Sequence, residues 1–310
     1  MNTKTKLAVA LAATISSGIA SAAEIQMYLD VGVINTGAGA GNIGSGASSG
    51  TPFGNPGNSG IFSPDADTIT GLFTEFGFNQ FRATSLYEKD AGGAFTGNIL
   101  DTNNAAFLSG SNPVIPAPSF GQVTLGNLSP LTPPQVPFSA TEGFGTTWGL
   151  SVDYQLNGTI PTDGSNFLGL PSYTTGIFNI WFDDYANNTG LNDGTNRDVQ
   201  VLGLILDSAS ILPADVILTY ELVFAHTGFL NIGGVDAADQ IGRLFRLDTN
   251  IDPPIPNPTT LIDVIGQDGN NYAYRSTNLD GTVSPIPEPA SLALLGIGIL
   301  GLAANKRKTA

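Results

Sequence analysis

The sequence predicts an all-β protein, an antiparallel β-sandwich of jelly-roll type, and three observations carry that prediction. The clearest segment alternates apolar and polar residues with a period of two. The 39 glycines and 20 prolines make turns frequent and long helices improbable. Roughly ten short β-capable runs are separated by turn signals, with no amphipathic helix among them. No internal repeat and no shift in composition divides the stretch between the two ends, so one domain is expected over residues 23–284.

Taken in order, Met1–Ala22 has the three parts of a secretory signal peptide. Lys4 and Lys6 charge its start, Leu7 to Ile19 is apolar, and Ala20, Ser21 and Ala22 form a small-residue cleavage site for signal peptidase. Ala23–Val33 opens with a run that predicts a first strand. Residues 35–60 are rich in Gly, Ser and Asn, with too little apolar mass to fold alone, and predict a long surface loop. Ile69–Tyr87 is aromatic and β-branched, and Gly77 with Asn79 and Gln80 predicts a break between two strands. Asp90–Thr102 reads as turn-rich, and Ser109–Pro137, with seven prolines, as an extended crossover.

Thr146–Leu156 is the clearest strand. Trp148, Leu150, Val152, Tyr154 and Leu156 alternate with polar or small residues, so one face meets a core and the other meets water. Asn157-Gly158 then predicts a turn. Ile177–Phe182, Val199–Leu206 and Val216–Ala225 are apolar on both faces and predict central strands. Ile241–Leu247, Leu261–Ile265 and Tyr272–Tyr274 complete the set.

The last stretch, residues 285–310, has three parts. Pro285, Pro287 and Pro289 fix φ and remove backbone donors, so this piece stays extended and out of any central strand. Ala290–Ala304 is an uncharged apolar run that spans about 22 Å as a helix, against roughly 30 Å of hydrocarbon. Lys306, Arg307 and Lys308 close it, a basic cluster that holds the positive end on the cytoplasmic side. The result is a short transmembrane helix suited to transient anchoring in the inner membrane. Pro287, Glu288 and Pro289, followed by the apolar run and the basic cluster, resemble the PEP-CTERM sorting signal. The resemblance implies that an exosortase cleaves at or near this motif and releases the protein to the cell surface or an exopolysaccharide matrix.

The charge sets the partners. Five of the 11 basic residues lie in the two terminal segments, which leaves six against 26 acidic residues, a net charge of about −20 if Glu288 of the last segment is kept. Such a surface repels nucleic acid and anionic lipid and favours cations. With no cysteine, neither a disulfide framework nor a thiolate metal site is available. A packed core must supply stability, and 41% hydrophobic residues are enough for one.

Few residues point to chemistry. Two matches to G-x-G-x-x-G, at Gly39 and Gly296, lack the strand–helix context that a dinucleotide site needs. His226 is the single histidine, with no nucleophile-elbow motif, and reads as a strand-end residue. The acidic stretch holding Asp183, Asp184, Asp193 and Asp198 offers the oxygens that Ca²⁺ takes, although Asx residues also simply make turns. Asp236 and Asp239 form a weaker candidate. Glu221 is a lone strand carboxylate with no identifiable partner for glycoside hydrolysis. Trp148, Tyr154, Trp181 and Tyr185 either stack on sugars or fill the core, and core is favoured. No catalytic residue and no organic cofactor is expected.

Phe144–Leu150, Gly176–Asp183 and Asp198–Leu206 are similar to segments of the flocculation-associated PEP-CTERM group, over about Phe138–Leu247. This second resemblance implies a non-enzymatic matrix or adhesion protein that contributes to flocculation, biofilm or exopolysaccharide association. The alternative is a polysaccharide-active enzyme or a carbohydrate-binding module on the same fold.

Overall fold

The computed structural model describes residues 24–34, 70–102, 123–129, 144–145, 148–184, 199–212, 215–249, 256–266 and 268–287. The chain divides into two compact units, Gln26–Pro285 and the pair of terminal segments Met1–Ile25 with Ile286–Ala310. Every strand below belongs to the first.

The described residues are nearly all β, and every strand pairing is antiparallel. The strands are β1 (Met27–Leu29), β2 (Glu75–Lys89), β3 (Phe95–Thr102), β4 (Val123–Leu125), β5 (Asn127–Ser129), β6 (Trp148–Thr159) and β7 (Ser172–Asp184). They continue with β8 (Val199–Leu212), β9 (Asp215–Ala225), β10 (Leu230–Ile232), β11 (Val235–Asp236), β12 (Leu244–Thr249), β13 (Ile262–Ile265) and β14 (Asn271–Pro285). The long strands pair in the order β2, β3, β6, β7, β8, β9, β12, β14, and β14 pairs again with β2. Neighbours in this ring follow one another along the chain, as local connections favour. The two opposed layers anticipated from the sequence are thus made by one sheet curled until its first and last long strands meet. On the outer edges, β4 pairs with β6, β5 with β2, and β13 with β14.

The apolar row of β6 is buried as expected, with Trp148, Leu150, Val152, Tyr154 and Leu156 all in the core, but Gly149 and Ser151 are buried too, so the first part of the opposite face does not meet water. At the end where β2 and β6 start and β7, β9 and β14 finish, aromatic rings fill the interior. Trp148 stacks on Phe182 at 5.7 Å, Phe182 meets Phe229 edge-on at 6.3 Å, and Phe73 meets Phe76 at 5.1 Å. A second sheet, β1–β10–β11, lies beside Phe73, which exchanges backbone hydrogen bonds with Met27.

Several expectations about breaks are corrected. The predicted break at Asn79 and Gln80 is a β-bulge inside a continuous β2, because Phe81 faces Leu279 and Phe78 faces Gly281, leaving two residues opposite Asp280 alone. Asn157-Gly158 is likewise no turn. Both lie in β6, and Thr174 is the extra residue on β7 opposite them. Asp90–Thr102 is a tight turn only as far as Ala94, where Asp90 Oδ1 accepts from the amides of Gly92 and Ala94, and β3 follows. The proline-rich crossover carries β4 and β5 where it is described. Pro285 joins β14 opposite Phe245, at the strand terminus where a missing donor is tolerated. The long loop at 35–60 and the acidic stretch 185–198 lie outside the described residues.

Gly158 shows why a bulge was read as a turn. A Cβ here would overlap the Ser172 carbonyl oxygen and lie 2.9 Å from the Tyr173 Cα, so close backbone approach, not a reversal of direction, requires the glycine. Gly158→Ala is therefore expected to cost on the order of 1–3 kcal/mol in urea unfolding, the usual range for overpacking. Gly126→Ala, whose Cβ would meet nothing within 4 Å, is expected to be nearly neutral. Equal midpoints for the two variants would refute the close-approach account.

Candidate functional site

Alternate residues of a barrel strand face inward, so the curled sheet collects one side-chain row from each strand. Away from the aromatic end these rows leave a cavity with about 50 Å³ open to the centres of water molecules. Phe78, Phe178, Leu218 and Leu247 give it apolar walls. Polar groups enter it from several strands, among them Ser85 and Tyr87 on β2, Asp101 on β3, Tyr154 on β6, Tyr173 on β7, Tyr220 on β9 and Arg275 on β14. The Tyr173 hydroxyl donates to Asp101 Oδ2.

Burial governs the electrostatics. It pushes the Asp101 carboxyl up to about 7, although a hydrogen bond from Ser85 and the positive charge of Arg275 pull the other way. Burial, and then the nearby Asp101 charge, raises Tyr87 to about 12 and holds Tyr154 and Tyr220 above the ordinary phenol range. The tyrosines therefore stay neutral hydrogen-bonding groups, while Asp101 changes charge near neutrality.

The sequence-predicted residues fall elsewhere. Asp183 is buried near the end of β7 opposite Gly149, and Asp184 is the last residue of β7, opposite Trp148. Asp193 and Asp198 lie outside the described residues, as do Ala20, Ala22, Glu288, Pro289, Lys306, Arg307 and Lys308. Pro287 is half-buried, two residues beyond the end of β14. Asp236 spends both carboxylate oxygens on backbone amides, Oδ1 accepting from Ala238 at 3.0 Å and Oδ2 from Gly228 at 2.7 Å, so it caps the turn Ala237–Gln240. His226 directly follows β9 and is half-buried, and Glu221 sits in β9 between Ile205 and Leu244. Trp148 is 0% exposed and Trp181 is half-buried, while Tyr154 lines the cavity. Among the described residues no three His, Asp or Glu side chains are grouped to hold a metal ion, and no helix is long and apolar enough to cross a membrane. The apolar run 290–304 lies outside them.

Sequence reasoning missed Asp101, Tyr173 and Arg275. Asp101 belongs to a segment read as turns, and Arg275 lies just past the predicted strand Tyr272–Tyr274. The available signal was the buried-looking Ile99-Leu100 pair directly before the Asp.

Residues 285–308 match the family model of the PEP-CTERM protein-sorting motif, which supports the reading of the chain as an exosortase substrate. No curated protein and no solved structure matches the chain. The motif implies export, exosortase processing and membrane-associated sorting to the cell surface, the route of a structural or surface protein.

Asp101 gives the folded protein a pH dependence of definite sign. Its folded value of about 7 lies above the ordinary 3.8, so the folded state keeps a proton that the unfolded chain has released. The stability this confers is complete below about pH 4 and is lost as pH rises towards 7, by roughly 4 kcal/mol in total. Asp101→Asn cannot titrate, so its loss of stability between pH 4 and pH 8, followed by thermal or urea unfolding, is expected to be smaller than the parent's by about that amount. Parallel profiles for parent and variant would contradict the assignment.

Proposed function

We propose that this chain is a non-enzymatic protein of the cell surface or extracellular matrix that associates with exopolysaccharide and contributes to flocculation or biofilm cohesion. Signal peptidase removes residues 1–22, the C-terminal segment holds the chain briefly in the inner membrane, and exosortase cleavage releases it. One observation carries the reading: the last strand of the sheet ends at Pro285, where the sorting motif begins. Cleavage at Pro287-Glu288-Pro289 leaves every described ladder of the sheet in the released part. The acidic surface suits a partner that is reached through cations, and Ca²⁺ bridging from carboxylates of the stretch 184–198 to acidic sugars is the proposed contact, Asp183 itself being buried. Burial of Trp148 removes one of the aromatics that a sugar-stacking groove would have used.

Replacing Pro287, Glu288 and Pro289 together by Ala is expected to leave the protein in the membrane fraction, where the parent is released. Release of the variant at the parental level would sink the sorting step. Deleting the gene is expected to slow settling and thin the biofilm, and the purified protein is expected to be retained on matrix polysaccharide with Ca²⁺ and lost with a chelator. An unchanged floc and no retention in either condition would exclude the matrix role while leaving the sorting step standing.

A further inference from the structure

We propose that the cavity inside the curled sheet is a binding site for a small uncharged ring-bearing alcohol of the phenol class. Size sets the first limit. About 50 Å³ of room for water centres corresponds to roughly four waters, enough for one six-membered ring and far short of the usual 300–1,000 Å³ of a drug-sized pocket. The walls set the second. Phe78, Phe178, Leu218 and Leu247 favour a flat apolar body. They also disfavour an ion, whose desolvation they would not repay, and a free sugar, whose hydroxyls they would leave facing apolar carbon.

The third limit is a hydroxyl. Tyr220 is 1% exposed, lines the cavity, and its hydroxyl has no hydrogen-bond partner among the described residues. A buried polar group in that condition favours a guest that can complete it. Asp101, 6% exposed and also lining the cavity, offers a carboxyl to the same guest. A plain hydrocarbon ring fills the space but leaves Tyr220 unsatisfied, so one hydroxyl on the ring distinguishes the preferred guest.

The test uses the purified full-length chain, with phenol and benzene as probes in titration calorimetry and thermal unfolding. Phenol is expected to bind saturably and to raise the melting temperature, with benzene about tenfold weaker, the ratio that one hydrogen bond supplies. Tyr220→Phe is expected to bring the two ligands within about twofold of each other, and Leu218→Trp, which fills the space, to abolish both. If Leu218→Trp does not fold, Tyr220→Phe decides alone, because it removes one oxygen and leaves the packing in place. Absence of saturable phenol binding to the parent, or a phenol-to-benzene ratio that Tyr220→Phe leaves unchanged, overturns the proposal.

Discussion

Closure of the sheet along β2 and β14 is the constraint on which the rest of the molecule depends. These strands come from opposite ends of the folded unit, and twelve residue pairs, from Asn271 opposite Lys89 to Val283 opposite Phe76, join them. Until they meet, each inward row of side chains faces water on one side and makes no enclosed core. Ser85 and Tyr87 sit on one side of this seam and Arg275 and Thr277 on the other, so the cavity exists only when it is closed. Pairing so distant in sequence carries a large loop-closure cost before it yields contacts, which makes it a late and slow step in folding. Closure also removes the long free edges through which an open sheet recruits other strands, and of the outer pairings only the short β4, β5 and β13 remain.

The interior is divided by chemistry. Where β14 ends, Trp148, Phe182 and Phe229 form a dense ring cluster whose packing adds to the burial of large apolar surfaces. Towards the other end, Asp101, Arg275 and several tyrosine hydroxyls occupy inward positions that hydrophobic residues would fill more cheaply. The dense half offsets what the polar half costs. A buried carboxyl poised near neutrality is tolerable in a sheet whose opposite end is so firmly packed.

The strands that read most clearly were those whose inward residues are all apolar. The row from Trp148 to Leu156 marks β6 without ambiguity, and the apolar runs Ile177–Phe182 and Val216–Ala225 mark the middle of β7 and nearly all of β9. What escaped was structure that inverts or interrupts the pattern. β3 turns Asp101 inward, and β14 turns Arg275 and Thr277 inward, so in neither strand is the cavity-facing row wholly apolar. Asn79-Gln80 and Asn157-Gly158 carry the residue types of turns, yet a strongly curled sheet needs local irregularities, and both became bulges. The sorting motif was legible because its order of proline, apolar run and basic cluster is local. The cavity was not, since its polar groups come from several strands and only the closed ring brings them together.

The position of β14 has a mechanical consequence. It is the last strand before the chain leaves the folded unit, and it is flanked by β2 on one edge and by β12 on the other near its end. A pull applied at Pro285 runs along the strand axis and loads both ladders in shear. Their hydrogen bonds must then yield together rather than open one after another from an end. Tension from the C-terminal side thus meets the strongest direction of the sheet.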